Sequence, residues 1–214
     1  MKSIQKKETK ERKIEKEILG VLIFLGVLIG VFVIASSYFK SLNYFEYEGL
    51  TFSKERAGNI QVFHHNYYLK VAGKLINYNF YIRNDPRYNN ISIEGKSQLL
   101  APGAVAYITV NSEGIQSCKS GPLALGGLSG FLADNQMKVI GGNLNFWDVP
   151  LKKNEWVTCE NKLGNRVVEI FEGNETKITI DGSCYRISVS NCEILEATEK
   201  LQVQSIVDVK KRKV

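Results

Sequence analysis

Ile18-Leu19-Gly20-Val21-Leu22-Ile23-Phe24-Leu25-Gly26-Val27-Leu28-Ile29-Gly30-Val31-Phe32-Val33-Ile34-Ala35 carries no charge and shows no polar face. Ser36, Ser37, Tyr38 and Phe39 extend the uncharged run to 22 residues before Lys40. At ~1.5 Å per residue a helix of that length crosses a hydrocarbon core of roughly 30 Å. A buried helix of a globular domain would carry a polar stripe, and this one has none. Tyr38 and Phe39 suit the aromatic belt at a membrane interface. The run therefore divides the chain into a basic tail (1–17), a transmembrane helix in contact with lipid (18–39), a domain (40–209) and a basic C-terminal tail (210–214).

Direction follows from the basic residues. Seven Lys/Arg precede the helix, and only Lys40, Lys54 and Arg56 lie a comparable distance beyond it. The positive-inside rule then puts the N-terminus in the cytoplasm and the domain outside the cell membrane. Two alternatives compete. A cleavable signal peptide has an apolar region of about 7–15 residues and a small-residue cleavage site; Ala35-Ser36-Ser37 keeps that reading open. A pilin-like leader also pairs a basic start with an apolar helix, but the chain after Lys40 reads as strand rather than as a continued helix.

The net charge of +6 comes largely from the two ends. Residues 1–17 hold seven Lys/Arg against four Glu, and Lys210-Lys211-Arg212-Lys213 adds four more positive charges. The middle is close to neutral and has no basic stripe with interleaved aromatics, which excludes a nucleic-acid interface as a working hypothesis. Ten Tyr and ten Phe against four Pro argue for a packed core rather than disorder.

All four cysteines, Cys118, Cys159, Cys184 and Cys192, lie beyond the apolar run. There is no C-x-x-C, and the two histidines, His64 and His65, are adjacent and far from them in sequence. No zinc or dithiol redox motif results, and neither a metal nor a cofactor is expected. Two disulfides in an oxidising exterior is the economical reading. The segment between Cys184 and Cys192 reads as strand, which at ~3.3 Å per residue holds the two too far apart to bond. Cys159–Cys184 across neighbouring strands and Cys118–Cys192 at the starts of two helices are favoured. Asn90-Ile91-Ser92 and Asn174-Glu175-Thr176 are glycosylation sequons in polar turns.

Tyr44 to Phe52 reads as a first strand. Ile60 to Val71 and Leu75 to Ile82 read as a hairpin turning at Ala72-Gly73-Lys74, its second arm alternating apolar and polar residues. Ala104 to Val110 is apolar enough for a central strand. Ser120-Gly121-Pro122 opens a helix with an N-cap candidate, and Ala124, Leu128, Phe131 and Leu132 share one face. Gly126, Gly127 and Gly130 weaken that helix, with close packing on a sheet as the expected compensation. Leu144 to Trp147, Glu155 to Cys159, Arg166 to Phe171, Lys177 to Ile180 and Cys184 to Val189 follow as strands, with Met137 to Ile140 before them. Ser190-Asn191-Cys192-Glu193 then spells a capping box for a last helix. The order predicts an α+β domain, a mixed sheet with two packed helices.

No P-loop, G-x-S-x-G, H-E-x-x-H or dinucleotide fingerprint occurs. His64 and His65 sit on a strand, so they face opposite sides and at most one serves any site; a packed or surface histidine is the plain reading. Arg83, Asp85 and Arg87 make a charged turn, read either as a local ion pair or as a partner contact. The leading expectation is a membrane-anchored interaction or structural protein of the cell envelope, with a protein partner or as a homo-oligomer. An ectoenzyme or small-ligand receptor using Arg83, Asp85, His64 or His65 is the alternative, and a pilin-like filament subunit a second.

Phe45-Glu46-Tyr47-Glu48-Gly49-Leu50-Thr51-Phe52, Phe80-Tyr81-Ile82-Arg83-Asn84-Asp85-Pro86-Arg87, Val157-Thr158-Cys159-Glu160, Cys184-Tyr185-Arg186-Ile187 and Asn191-Cys192-Glu193 follow the anchor in that order. The chain in this respect resembles a group of small uncharacterised archaeal single-pass membrane proteins with an extracytoplasmic cysteine-containing domain. That resemblance implies an archaeal envelope setting and implies no activity.

Overall fold

The computed structural model describes residues 2–71, 73–145 and 156–212, with side chains from Ile18 onward except that of Ser112. The backbone forms two compact units, residues 1–45 and 46–214. The first is dominated by α1 (Lys2–Asn43), which runs four residues past the expected end of the apolar helix. Its stretch Ile18–Asn43 is long and apolar enough to cross a membrane, with a mean hydropathy of 3.1 over its most apolar 18-residue window. Ser36 and Ser41 donate their hydroxyls to the carbonyls of Val33 and Tyr38, so these polar groups are satisfied within the helix.

The second unit is α+β, built on two sheets where the sequence predicts one. β1 (Tyr44–Tyr47), β2 (Leu50–Ala57), β3 (Ile60–Val71) and β4 (Lys74–Ile82) form a sheet in chain order. β5 (Ser92–Glu94), β6 (Val105–Val110), β7 (Lys138–Asn143), β8 (Arg166–Glu172), β9 (Lys177–Asp181) and β10 (Cys184–Val189) form a mixed sheet in the order β5-β9-β10-β8-β6-β7. The separation has a physical cause. The first four strands are joined by tight turns and close antiparallel, whereas parallel pairs such as β6/β7 need a crossover. Between β6 and β7 run α2 (Ser112–Ile115), a kinked turn whose Glu113 and Gly114 have non-helical φ/ψ, and α3 (Gly121–Asp134). β10 inserts between β8 and β9, parallel to the first and antiparallel to the second. α4 (Ile194–Arg212) follows.

Both longer helices touch both sheets. α3 buries Ala124, Leu128, Phe131 and Leu132, and its Phe131 ring lies 5.4 Å from Phe80 of β4. α4 buries Ile194, Leu201, Ile206 and Val207. On the helix side of the mixed sheet Ala106, Ile108, Val168, Ile170, Tyr185 and Ile187 are all at most 5 % exposed. Removing this much apolar surface from water is the main stabilising term of the unit.

Several local expectations are corrected. The strand expected over Tyr44–Phe52 is broken at Glu48-Gly49, where φ is 49° and 76°, a two-residue hairpin turn. Ser120 precedes α3, but its own φ/ψ is helical and its side chain makes no cap; its hydroxyl donates to the Cys192 carbonyl instead. The Ser190–Glu193 capping box does not form, because the Ser190 N–H donates to Thr176 Oγ1 at 2.9 Å. A Cβ at Gly126 or Gly130 would meet nothing within 4 Å, so these glycines do not serve close packing on a sheet. Ala72, Trp147, Glu155, Lys213 and Val214 lie outside the described residues. Trp156 contributes a single parallel bridge to Asn143 rather than a strand.

The four cysteines form two disulfides. Cys118–Cys192 joins the approaches to α3 and α4, with Cα atoms 5.2 Å apart. Cys159–Cys184 pins the loop before β8 to the start of β10, at 5.5 Å. The basic end of α4 is ordered through Arg212. Lys210 Nζ donates to the Gly49 carbonyl and Lys211 pairs with Glu48 at 3.1 Å, so the two lysines tie the C-terminal end of α4 to the β1–β2 turn.

Candidate functional site

β4 ends at Ile82, and the chain turns through Arg83, Asn84 and Asp85 to the buried Pro86. The turn is held from behind by Glu199 of α4. Its carboxylate accepts the Arg83 N–H (2.7 Å), the Asn84 N–H (3.0 Å) and the Asn84 side-chain amide (2.8 Å). Burial pushes the Glu199 carboxyl above its ordinary value, against the pull of these donors. Farther on, Asn89 donates to the Glu196 carbonyl and accepts from the Ile91 N–H, while Lys200 donates to the Asn89 carbonyl. The segment after β4 is thereby stitched to one face of α4.

A second wall comes from the β8–β9 loop. Gly173 has no room for a side chain, since a Cβ there would collide with Ser188 Oγ. Ser188 donates to the Glu175 carbonyl at 2.7 Å, and Thr176 Oγ1 donates to the Ser190 carbonyl at 3.1 Å. The third wall is Ser190–Glu193, where Asn191 and Cys192 both adopt left-handed φ of 51° and 60°. The Cys118–Cys192 disulfide ties this turn down.

These walls enclose an open cleft of about 580 Å³. Its lining is largely polar: Asn84, Asn89, Asn90, Asn174, Asn191, Thr176 and Ser190, with Asp85, Glu175, Glu193 and Glu196, beside the ring of Tyr88 and the side chain of Ile91. Among the described residues no Lys or Arg lines it. Asp85 is already committed, because Arg87 Nε and Nη2 grip its carboxylate at 3.0 and 2.6 Å. Burial alone would raise the Asp85 carboxyl, but the Arg87 side-chain and backbone donors outweigh it and hold it below its ordinary value. Glu175, Glu193 and Glu196 have no ion pair among the described residues.

The cleft brings together three of the residues singled out in the sequence: Asp85, Asn90 and Asn174. The others lie elsewhere. Arg83 faces a different groove, beside β4 and α3. His64 and His65 occupy opposite faces of β3. His64 stacks on Tyr81 at 4.5 Å, with Nδ1 2.7 Å from Glu55 Oε1 and Nε2 3.0 Å from Asn79 Oδ1. Ser53 completes an apparent Ser-His-Glu set, but its hydroxyl donates to Glu55 at 2.8 Å and stands on the Nδ1 side, 3.5 Å away. A triad needs the serine on the nitrogen opposite the acid, and here Asn79 occupies that nitrogen.

His65 points inward between Phe52 and Tyr67, with Nδ1 2.8 Å from the Thr51 carbonyl. Burial pushes its pKa down, and Lys210 and His64 add to the effect. A depressed folded pKa gives stability that is present above the unfolded value of about 6.5 and lost as pH falls through the folded value. The denaturant midpoint is therefore expected to decline on acidification below pH 6.5. His65→Phe should remove this component, giving a flatter midpoint-versus-pH curve than the wild type over the same interval.

One group of potential metal ligands exists among the described residues: Cys159, Glu169 and Cys184. Its two sulfurs are bonded to each other, and the buried Glu169 carboxylate already accepts the Cys159 N–H at 2.6 Å and Arg186 Nε at 3.0 Å. The arrangement is a disulfide buttressed by an ion pair. Sequence reasoning missed the cleft residues Tyr88, Asn89, Asn191, Glu193 and Glu196. The available signal is compositional: Asn and Ser crowd residues 89–92 and 188–191, stretches that read locally as a polar turn and as a strand end running into a cap.

No family model matches the chain, and no curated protein and no solved structure matches it.

Proposed function

We propose that this chain is a membrane-anchored, extracytoplasmic interaction protein of the cell envelope, a subunit of a surface complex. Its N-terminus lies in the cytoplasm, and the polar cleft is its contact face. The observation that carries the reading is the cleft lining, in which amide groups and three carboxylates without ion pairs converge on one concavity that offers no basic side chain. Such a surface complements a partner segment rich in Lys or Arg and hydrogen-bond donors. The apolar helix and the two disulfides fit an anchored domain in an oxidising compartment. The residues that an enzyme would have gathered, His64, His65, Arg83 and Asp85, are spread over separate surfaces, which weighs against the ectoenzyme reading.

Crosslinking in native membranes followed by pull-down and mass spectrometry tests this. Reproducible protein neighbours are expected for the wild type, and their yield should fall at least tenfold in the double variant Glu175→Lys/Glu193→Lys. Both side chains lie on the surface, so the variant should retain its fold and disulfides. Neighbours that persist undiminished in that variant would remove the cleft from the proposal.

A further inference from the structure

β4 is the outer strand of its sheet. β3 takes one side of its main chain in unbroken register from Phe63↔Ile82 to Val71↔Lys74. Among the described residues no strand takes the other side. An open edge of nine residues is a template for a further strand, and proteins ordinarily blunt such edges with Pro, a bulge or an inward-pointing charge. β4 has no Pro and no bulge, and its single charge, Lys74, stands at its very start. It displays apolar groups instead: Leu75 is 72 %, Ile76 49 % and Tyr81 52 % exposed.

Beside the far half of this edge lies a groove of about 330 Å³ between β4 and α3. Phe80 and Ile82 form one wall, and Gly126, Gly127 and Gly130 the other. A Cβ at Gly126 or Gly130 would enter open space, so the bare helix surface keeps the groove wide without serving a contact within this chain.

We infer that a second copy of this chain fills the groove, its β4 pairing antiparallel with this β4 about a two-fold axis at Tyr78. The strand is self-complementary in that register. Directly opposed residues of an antiparallel pair point to the same face. Ile76 of each copy then meets Phe80 of the other on the inner face, above the glycine wall, so the half-exposed apolar side chain enters the groove. On the outer face Leu75 meets Tyr81, covering both exposed side chains, and Asn77 meets Asn79, whose amides complement one another. Tyr78 meets its own counterpart. In this register Lys74 meets Ile82 at the ends of the pair, where its stem lies along the strand end and its ammonium reaches water; moving the axis to Asn77 would set Lys74 over Phe80, two residues farther into the groove, and bury the ammonium, which is costly. The pairing is isologous, with the same patch used on both copies, and it shares no residue with the polar cleft.

Cysteine crosslinking of the full-length chain in lipid vesicles tests the register. The native cysteines are all in disulfides and do not interfere. Opposed Cα atoms lie about 4.5–5.5 Å apart in an antiparallel pair, within disulfide reach. Tyr78→Cys should therefore oxidise to a covalent homodimer. Leu75→Cys and Tyr81→Cys should each fail alone and crosslink when mixed. Because Tyr78 also bonds Asp134, an independent readout is the detergent-corrected mass by light scattering. The wild type should have the mass of a dimer, and Ile76→Lys, changed at a half-exposed position, should have half that mass with both disulfides intact. A monomeric wild type, a Leu75→Cys self-crosslink, or capture of a different protein at position 78 would each overturn the inference.

Discussion

Replacing Cys118 and Cys192 together by Ser should lower unfolding stability by about 4.5 kcal/mol, as the chain-entropy relation gives for a closed loop of this length. The two residues are 74 apart in sequence, so the bond removes a large part of the freedom of the unfolded chain. The Cys159–Cys184 loop spans 25, and its double Ser variant should lose about 3.5 kcal/mol by the same relation. Guanidinium unfolding of the full chain in detergent, followed by near-ultraviolet circular dichroism, measures both. Beyond this gap of about 1 kcal/mol lies a functional difference. Asn191 and Cys192 are consecutive non-glycine residues at φ 51° and 60°, a conformation that costs roughly 1–2 kcal/mol per residue. Cys118–Cys192 opposes relaxation of that turn, which carries Asn191 and Glu193 onto the lip of the cleft. The Cys118/Cys192 variant should therefore lose partner crosslinks even where it is fully folded, in low denaturant at low temperature. The Cys159/Cys184 variant, altered at the far face of the mixed sheet, should keep them under the same conditions. Equal retention in both would show that the left-handed turn holds without its disulfide.

Legibility from sequence follows the range of the interactions involved. The apolar helix is visible because an uninterrupted run needs no partner to define it. The β3–β4 hairpin is visible because alternation in Leu75–Ile82 and the turn at Gly73 are both local. The break between β1 and β2 is hidden, since it places Glu48 at positive φ, and glutamate is not a residue that announces such a turn. β5 is three residues long, too short to show a period. It exists because Ser92–Glu94 finds the edge of β9, about 85 residues away in sequence. The division into two sheets rests on parallel pairings such as β8 with β10, which depend on the loop path rather than on residue types. The cleft is hidden for the same reason. Its walls come from the stretches after β4, after β8 and before α4, and in each the residues read locally as turn formers. Asp85, Asn90 and Asn174 attracted notice for a charge pair and two sequons, and only folding makes them neighbours.

Glu199→Ala should destabilise the fold by about 3 kcal/mol, because it leaves three part-buried donors without an acceptor and each orphaned group costs about 1–3 kcal/mol. A glutamate in an amphipathic helix ordinarily faces water, whereas Glu199 is 6 % exposed and accepts three hydrogen bonds from Arg83 and Asn84. Two of the three come from backbone N–H groups, which no side-chain rearrangement can re-aim. Glu199→Gln tests the assignment more finely. It keeps the shape and one acceptor oxygen, but its amide turns two N–H donors toward a cluster that already consists of donors. Its cost should be about 2 kcal/mol, between wild type and Ala. Equilibrium unfolding of the three proteins gives the order directly. Asn84 and Asp85 line the cleft while Glu199 does not, so a functional consequence separates this position from an ordinary core residue. Both variants should weaken partner crosslinking through displacement of the 83–85 turn, in proportion to their loss of acceptors. A compensating change elsewhere, such as a stabilising surface substitution, should restore the unfolding midpoint without restoring the crosslinks. Recovery of both together would mean that Glu199 supports only the core, and that the turn keeps its position without it.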